Sequence, residues 1–73
     1  MDFGSEVRWR REKSNMTQTE VAEKIGVSQM AYSKYETNAM MPNVTVACKL
    51  ALMFDTTCEE LCGYGKYVKE ENK

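Results

Sequence analysis

The sequence predicts a small all-α protein built from five short helices. Apolar residues recur at the three- and four-residue spacing of helices, and no stretch alternates between apolar and polar residues as a strand does. Capping and helix-ending residues separate five segments, and 73 residues support one domain. We place this domain at residues 1–63 and expect residues 64–73 to be a tail, partly disordered or in contact with a second copy.

The first helix is predicted over residues 5–14, which are mostly good helix formers. Asn15 follows, and asparagine tolerates the left-handed conformation that ends a helix. The cations of this segment are Arg8, Arg10, Arg11 and Lys13. Because several glutamates gather towards the other end of the chain, we expect a weakly positive face here.

The second helix is predicted to begin after Thr17, because Thr17 and Glu20 have the spacing of a capping box. In that motif the threonine hydroxyl accepts a backbone N–H, and the glutamate reaches back to the backbone of the threonine. Gly26 is expected to end this helix after little more than two turns. Its inward-facing apolar residues are Val21, Ala22 and Ile25.

Ser28 is a good N-cap for the third helix, which has two distinct faces at about 100° per residue. One face is polar and carries little charge, and it consists of Gln29, Met30, Ser33, Lys34 and Thr37. The other consists of Ala31, Tyr32 and Tyr35, which should pack inward. A solvated helix surface normally fills with Lys and Glu, so we expect the first face to meet the base edges of DNA.

Two more helices are predicted in the second half of the domain. Residues 37–41 are typical of an irregular loop, and Pro42 suits the first turn of the fourth helix. The apolar stripe of that helix is Val44, Ala47, Leu50, Ala51 and Phe54. Thr57 and Glu60 have the spacing of a second capping box, before a short fifth helix that carries Leu61.

The three cysteines, Cys48, Cys58 and Cys62, do not form an even disulfide framework. Cys58 and Cys62 are four residues apart, which would place both thiols on one helical face. Since the chain has no histidine, two adjacent sulfurs and a distant one make a poor tetrahedral metal site. We therefore expect small, buried or half-buried thiols, with no metal and no cofactor.

Two short helices joined by a turn around Gly26 match the helix-turn-helix unit, although any α-helical domain can contain such a pair. From about residue 7 to residue 61, however, the chain resembles the Cro/CI-type (Xre) helix-turn-helix family of phage and bacterial repressors. The matching positions are Arg11, Thr17-Gln18, Val21-Ala22, Gly26-Val27-Ser28, Tyr32-Ser33, Tyr35-Glu36, Pro42, Leu50-Ala51 and Glu60-Leu61.

The resemblance implies a compact five-helix, lambda-repressor-like DNA-binding domain, whose third helix at residues 28–36 enters the major groove. Gln18 would touch a phosphate and brace that helix, and Gln29 would pair with N7 and N6 of an adenine. Met30 would at most contact a thymine methyl group, while Lys34 and Ser33 would each reach a base or a phosphate. The other expected DNA contacts are Thr17, Ser28, Thr37 and Asn38.

Arg11 and Glu36 occupy positions where the resembled family commonly has an ion pair between the first and third helices. If it is partly buried, such a pair sets the angle of the third helix more than it adds net stability. The alternative for Arg11 is a phosphate contact from the solvated surface.

The loop after the third helix departs from the family pattern. Asn38 stands where glycine is usual, and Ala39, Met40 and Met41 stand where basic residues usually grip a phosphate. The two methionines would either pack against the core or offer a soft apolar contact. Together with the net charge of -1 and the pI of about 5.4, this predicts weak, salt-sensitive DNA binding by one protomer.

A homodimer on a two-fold operator would compensate for weak binding, because two linked contacts multiply through effective concentration. The candidate dimer residues are Cys58, Leu61, Cys62, Tyr64 and Tyr67. The alternative is that they cap the core of the monomer.

Three classes of function compete for this sequence. The first is a double-stranded DNA-binding transcriptional regulator, a repressor with no effector domain and no pocket for a small-molecule ligand. The second is a protein-interaction module, such as an antitoxin subunit that binds a toxin. An enzyme is disfavoured, because there is no histidine and no nucleophile with an evident base.

A cytoplasmic location is expected, because no apolar run could span a bilayer and the first residues lack the features of a signal peptide.

Overall fold

The computed structural model describes residues 2–62, and these residues form five α-helices. The helices are α1 (Phe3–Lys13), α2 (Gln18–Ile25), α3 (Gln29–Glu36), α4 (Val44–Met53) and α5 (Cys58–Cys62). No strand occurs in residues 2–62, and the predicted all-α class is confirmed. The first helix packs against α3 and α5, and α2 packs against α3 and α4, while α4 also contacts α5.

A side-chain oxygen caps the first turn of each helix, accepting the backbone N–H three residues later at 2.8–3.1 Å. The capping residues are Asp2, Thr17, Ser28, Asn43 and Thr57. At α2 the predicted capping box is complete, because the Glu20 carboxylate also accepts the Thr17 N–H at 2.9 Å. At α5 the Glu60 carboxylate accepts a hydrogen bond from Thr56 Oγ1 at 2.9 Å.

The connections after α1 to α4 each contain one residue with a left-handed backbone. These residues are Asn15, Gly26, Asn38 and Asp55, with φ angles of 57°, 76°, 64° and 54°. At Gly26 the turn is closed by hydrogen bonds from Val27 N to Ala22 O at 3.0 Å and from Gly26 N to Glu23 O at 3.3 Å. Such a turn satisfies carbonyls at the end of the helix and reverses the chain, so α3 can begin within a few residues.

The first helix begins earlier than predicted, at Phe3 instead of residue 5, because Asp2 supplies the cap. Phe3 and Gly4 are poor helix formers, so local propensity placed them outside the helix. Both are buried, and tertiary packing outweighs their weak propensity.

The fourth helix also differs from the prediction. Pro42 precedes the capping residue Asn43 and so lies outside the helix, instead of in its first turn. The predicted apolar stripe includes Val44, but Val44 is 79% exposed, and Val46 is buried in its place. Val46 lies one turn before Leu50 and shares its face, whereas Val44 lies at the solvated start of the helix.

Every helix contributes to one apolar core. Tyr32, Leu50 and Leu61 are among its largest fully buried side chains. The core consists of Phe3, Val7, Val21, Ala22, Ile25, Tyr32, Tyr35, Val46, Leu50, Ala51 and Leu61. Because α3 places two tyrosines in this core, its opposite face is directed outward.

Gly4 is the point of closest approach between α1 and the end of α3. A Cβ atom at Gly4 would lie 2.3 Å from the carbonyl oxygen of Glu36, which is far inside contact distance. The Gly4 N–H donates a hydrogen bond to Oδ1 of Asn38 at 2.9 Å. Asn38 therefore ties the start of α1 to the turn that follows α3.

The Tyr32 hydroxyl is enclosed near Arg11 and Glu36. Its oxygen is buried, and no described residue makes a hydrogen bond of good geometry with it. Burial is the largest cause that raises the pKa of Tyr32 far above its usual value. The ring itself packs edge to face with Tyr35, at a centroid distance of 6.2 Å and an interplanar angle of 84°.

We expect Gly4→Ala to lower the free energy of unfolding by about 1–3 kcal/mol, because the added methyl group overlaps backbone that cannot move freely. Helix propensity acts in the opposite direction by about 1 kcal/mol. Urea unfolding measures the difference, with Thr19→Ala at an exposed position of α2 as control. A Gly4→Ala protein as stable as the parent would contradict the close approach.

We expect Tyr32→Phe to leave the free energy of unfolding unchanged or slightly raised, since the buried hydroxyl has no well-formed hydrogen bond to lose. Tyr32→Ala should cost about 3–5 kcal/mol through the cavity it leaves. Thermal and urea unfolding of both variants make the comparison. A loss above about 1 kcal/mol in Tyr32→Phe would mean that the hydroxyl is hydrogen-bonded in solution.

Candidate nucleic-acid interface

The outward face of α3 has the composition that the sequence predicted. Gln29, Lys34 and Thr37 are exposed, Ser33 is half-buried, and Met30 is 69% exposed. Beneath them Tyr32 and Tyr35 are buried. The two faces are thus arranged as expected, and the polar row is accessible to a ligand.

An ion pair joins α1 to the last residue of α3. The Arg11 guanidinium donates to both oxygens of Glu36, from Nε to Oε2 at 2.6 Å and from Nη2 to Oε1 at 3.3 Å. The two side chains are only 14% and 4% exposed. Arg11 Nη1 also donates to the carbonyl oxygen of Met16 at 2.9 Å. Arg11 is therefore held inside the molecule, and the alternative of a surface phosphate contact for this residue is wrong.

Gln18 extends this network to the start of α3. Its Nε2 donates to Glu36 Oε1 at 2.9 Å, and its Oε1 accepts a hydrogen bond from Gln29 Nε2 at 2.9 Å. Arg11, Glu36, Gln18 and Gln29 therefore form one continuous chain of hydrogen bonds, which we call the anchor network. The resemblance implies the ion pair and a bracing role for Gln18. The structure adds that the carboxylate of Glu36 accepts hydrogen bonds from both Arg11 and Gln18.

The environment of Glu36 acts on its charge in two directions. Burial opposes ionisation, but hydrogen bonds from partners that include Arg11 and Gln18 outweigh it, and the pKa of Glu36 lies below its ordinary value of 4.5. Hydrogen bonding to Glu36 raises the pKa of Arg11 above its already high value. Both groups are thus charged at neutral pH, as a buried ion pair requires.

Thr17 and Ser28 lie at the N-termini of α2 and α3, as predicted. Their hydroxyl oxygens accept the backbone N–H groups of Glu20 and Ala31, both at 3.1 Å. A hydroxyl that accepts a hydrogen bond keeps its own hydrogen for donation. Both residues can therefore cap a helix and still donate a hydrogen bond to a ligand outside it.

The turn after α3 uses its polar groups internally. Asn38 has the left-handed backbone expected of it, with Oδ1 occupied by the Gly4 N–H. Thr37 Oγ1 donates to the carbonyl oxygen of Lys34 at 3.2 Å. Met40 and Met41 are 39% and 57% exposed. Of the two alternatives for these methionines, packing into the core is wrong and an exposed apolar surface is observed.

Glutamates largely neutralise the positive face expected on α1, two of them on the same helix and one on α3. Arg10 Nε lies 2.6 Å from Glu6 Oε2, and Arg8 Nε lies 3.4 Å from Glu12 Oε2. Arg11 is bound to Glu36. The carboxylates that pair with Arg8 and Arg10 lie one helical turn away on α1, so their spacing in the sequence is the signal that indicates this neutralisation.

The exposed face of α1 also carries Trp9, which is 45% exposed. The Lys13 ammonium lies 4.7 Å from the centroid of its ring, and the guanidinium of Arg10 lies 5.9 Å away. Both distances are within the range of cation–π attraction. The ring thus engages the remaining cation of the predicted cluster.

Two of the five candidate dimer residues, Cys58 and Leu61, have described side chains. Leu61 is 1% exposed and packs in the core, which is the second of the two alternatives given for it, a residue that caps the core of the monomer. Cys58 is half-buried, with its Sγ 3.2 Å from that of Cys48. The side chain of Cys62, together with Tyr64 and Tyr67, lies outside the described residues.

Two other kinds of feature, a metal site and a membrane-spanning helix, do not occur in residues 2–62. Residues 2–62 contain no group of three His, Cys, Asp or Glu side chains that could hold a metal ion. Among the described helices, none has the length and apolar character needed to cross a membrane.

Comparisons with known proteins agree with this geometry. The transcriptional repressor RstR of the cryptic phage CTXphi, from Vibrio cholerae, is 33% identical over 64 residues, which cover 88% of this chain and 55% of that protein. The HTH-type transcriptional regulator AnsR of Bacillus subtilis is 36% identical over 56 residues, covering 77% of this chain and 48% of that protein. The chain thus spans about half the length of the curated relatives it matches.

Solved structures of the same architecture superpose closely. The crystal structure of the P22 c2 repressor in complex with a synthetic operator has a TM-score of 0.82 at 26% identity, covering 85% of this chain and 94% of that one. The solution structure of the DNA-binding domain of that repressor has a TM-score of 0.78 at 26% identity, covering 84% and 80%. A profile of the helix-turn-helix family matches residues 7–61. The chain belongs to the helix-turn-helix family of the Cro/CI type.

Proposed function

We propose that this protein is a sequence-specific, double-stranded DNA-binding transcriptional regulator that acts as a repressor and inserts α3 into the major groove. The observation that carries the proposal is the anchor network, which holds Gln29 on the exposed face of α3. The repressor and regulator names of the relatives support the same assignment, as does the operator bound to the P22 c2 repressor.

Gln29 is the leading base reader in this proposal. Its hydrogen bond to Gln18 uses one hydrogen of Nε2 and leaves Oε1 and the second hydrogen available. Those two groups match the N6 donor and the N7 acceptor that adenine presents in the major groove. A side chain held in this geometry before binding loses less rotational freedom on the DNA.

The other residues of the polar row have roles that follow from their chemistry. Met30 offers no donor and is well exposed, so it suits contact with a thymine methyl group. Lys34 carries the positive charge of the row and reaches either a guanine or a phosphate. Ser33 donates a hydrogen bond to a base or to the DNA backbone, whereas the Thr37 hydroxyl, whose hydrogen is bonded to the Lys34 carbonyl, accepts one from a base amino group.

The expected phosphate contacts flank the polar row. Thr17, Gln18 and Ser28 lie at the N-termini of α2 and α3, where backbone N–H groups and the helix dipole attract anions. We assign Asn38 the role of positioning the protein backbone of the turn beside the DNA, because its side-chain oxygen is already bonded to the Gly4 N–H.

The complete binding unit is proposed to be a homodimer on a two-fold operator. One protomer has a net charge of -1, and intrahelical carboxylates pair with Arg8 and Arg10, so long-range attraction to DNA is weak. Two linked half-site contacts raise the affinity without requiring more positive charge.

We assign residues 1–63 to the DNA-binding domain, and we assign dimer contact to the tail, residues 64–73. We place the protein in the cytoplasm and assign it no catalytic activity, cofactor or small-molecule ligand.

A second candidate function is binding to a protein partner, as an antitoxin binds its toxin. The observation that favours it is the apolar exposure of Met40, Met41 and Val44 beside the turn after α3. A mobility-shift assay with a palindromic fragment from the upstream region of its gene separates the two functions. Binding by the pure protein alone supports the regulator, and binding only after addition of a partner supports the second function.

We expect Gln29→Ala to weaken binding to the selected operator by about 1–3 kcal/mol and to flatten discrimination at one base position. In vitro selection first identifies the site, and competition assays with each base at each position then locate the change. Thr45→Ala, at an exposed position of α4, serves as the control for folding and general affinity. An equal loss on specific and random DNA would exclude base reading by Gln29.

We expect Glu36→Gln to lower the free energy of unfolding by about 3 kcal/mol and to weaken operator binding, because Arg11 then becomes a buried charge without its counterion. The matched control is Glu12→Gln, whose carboxylate pairs with Arg8 on the surface and whose loss should cost under about 1 kcal/mol. Equal stability of the two variants would mean that the buried pair is not formed.

The same pair predicts a dependence on pH. Since the pKa of Glu36 is lower in the folded protein than its ordinary value of 4.5, its stabilisation is complete above the unfolded pKa. It is lost as pH falls below 4.5 through the folded pKa. The stability difference between the parent and Glu36→Gln should therefore be constant near neutrality and shrink in acid. A difference independent of pH would argue against ionisation of Glu36 in the fold.

A further inference from the structure

Two thiols from different helices are in contact. Cys48 lies in the middle of α4 and Cys58 is the first residue of α5, and their sulfur atoms are 3.2 Å apart. Both residues are half-buried. The sequence predicts that Cys58 and Cys62 share one helical face, and the packing of α5 on α4 also brings Cys58 to Cys48.

We propose that Cys48 and Cys58 form an oxidation site, at which hydrogen peroxide converts the two thiols into an intramolecular disulfide that ties α5 to α4. A disulfide bond is about 2.05 Å long, so the sulfurs need to approach by little more than an ångström. Side-chain rotation supplies a movement of that size. Their partial exposure admits an oxidant as small as a peroxide.

The chemistry balances with the peroxide as the only oxidant. One thiolate attacks a peroxide oxygen, the O–O bond breaks, and the hydroxide that leaves takes up the thiol proton to give water and a sulfenic acid. The second thiolate attacks the sulfenic sulfur, the S–O bond breaks, and hydroxide leaves with the second proton as water. In total, two thiols and one peroxide give one disulfide and two waters.

The disulfide would restrain α5, which is the shortest of the described helices. The fifth helix is a short element that packs against α1 and α4, and it contributes Leu61 to the core. A link between residues 48 and 58 closes a short loop and limits the freedom of the unfolded chain. Oxidation should therefore stabilise the domain and fix α5 against α4. The proposal does not rest on base reading by α3, since Cys48 and Cys58 belong to α4 and α5, although Cys58 is also one of the candidate dimer residues.

The test uses the full chain, reduced first, freed of reductant and treated with a small excess of hydrogen peroxide. Trypsin cleaves after Lys34, Lys49 and Lys66, which separates Cys48 in residues 35–49 from the other two cysteines in residues 50–66. We expect a loss of two hydrogens from the intact monomer and a reducible link between these two peptides. Cys62→Ser should retain the link, and Cys48→Ser should lose it.

Thermal unfolding supplies a second measurement. The oxidised Cys62→Ser protein should melt on the order of 10 °C higher than its reduced form, and the difference should vanish with reductant. A product joined only through Cys62, or only between two chains, would overturn the proposal. So would a Cys48 thiol that stays fully reactive after Cys58 is oxidised, or a link whose formation leaves the melting temperature unchanged or lower.

Discussion

The buried carboxylate of Glu36 is the interaction on which the arrangement of the first three helices depends. Glu36 is the last residue of α3. Its carboxylate accepts two hydrogen bonds from Arg11 of α1 and one from Gln18 of α2. A carboxylate that is 4% exposed is tolerated only when charged and polar partners replace the water it loses. One residue therefore requires three helices to meet at a defined position, which sets orientation more than it increases stability.

This requirement connects the core of the fold to its exposed face. Gln18 bonds to Glu36 at the end of α3 and to Gln29 at its start, so the anchor network spans the length of the helix. Below it, Tyr32 and Tyr35 fill the core and prevent α3 from rotating. In the proposed function, the base-reading side chain is therefore positioned by the same hydrogen bonds that hold the helices together. This arrangement reduces the entropy lost on binding.

The distribution of charge limits how such a protein can recognise DNA. Three arginines of α1 are paired with glutamates, and the ring of Trp9 lies beneath Lys13. The turn after α3 presents two exposed methionines instead of cations. Attraction to phosphates at long range is consequently small, and short-range contacts on α3 carry a larger share of the proposed affinity. In a two-fold assembly, the short-range contacts of two protomers combine to give the proposed affinity for the operator.

Local signals in the sequence accounted for the helices and for the two faces of α3. Capping side chains, the left-handed residues at Asn15 and Gly26, and the spacing of apolar positions act within a few residues of one another. The same local signals indicated that Gln29 and Lys34 point outward. The resemblance to a family then implied the pairing of Arg11 with Glu36.

Contacts between helices were beyond these signals, because they depend on how closely two elements dock and not on the pattern within either one. The approach of Gly4 to α3, the bond from Gly4 to Asn38 and the meeting of Cys48 with Cys58 all arise in this way. Docking also made Val46 a core residue and left Val44 in solvent. Periodicity identifies which residues share a face of a helix, whereas the neighbouring helices settle how far along that face the core extends.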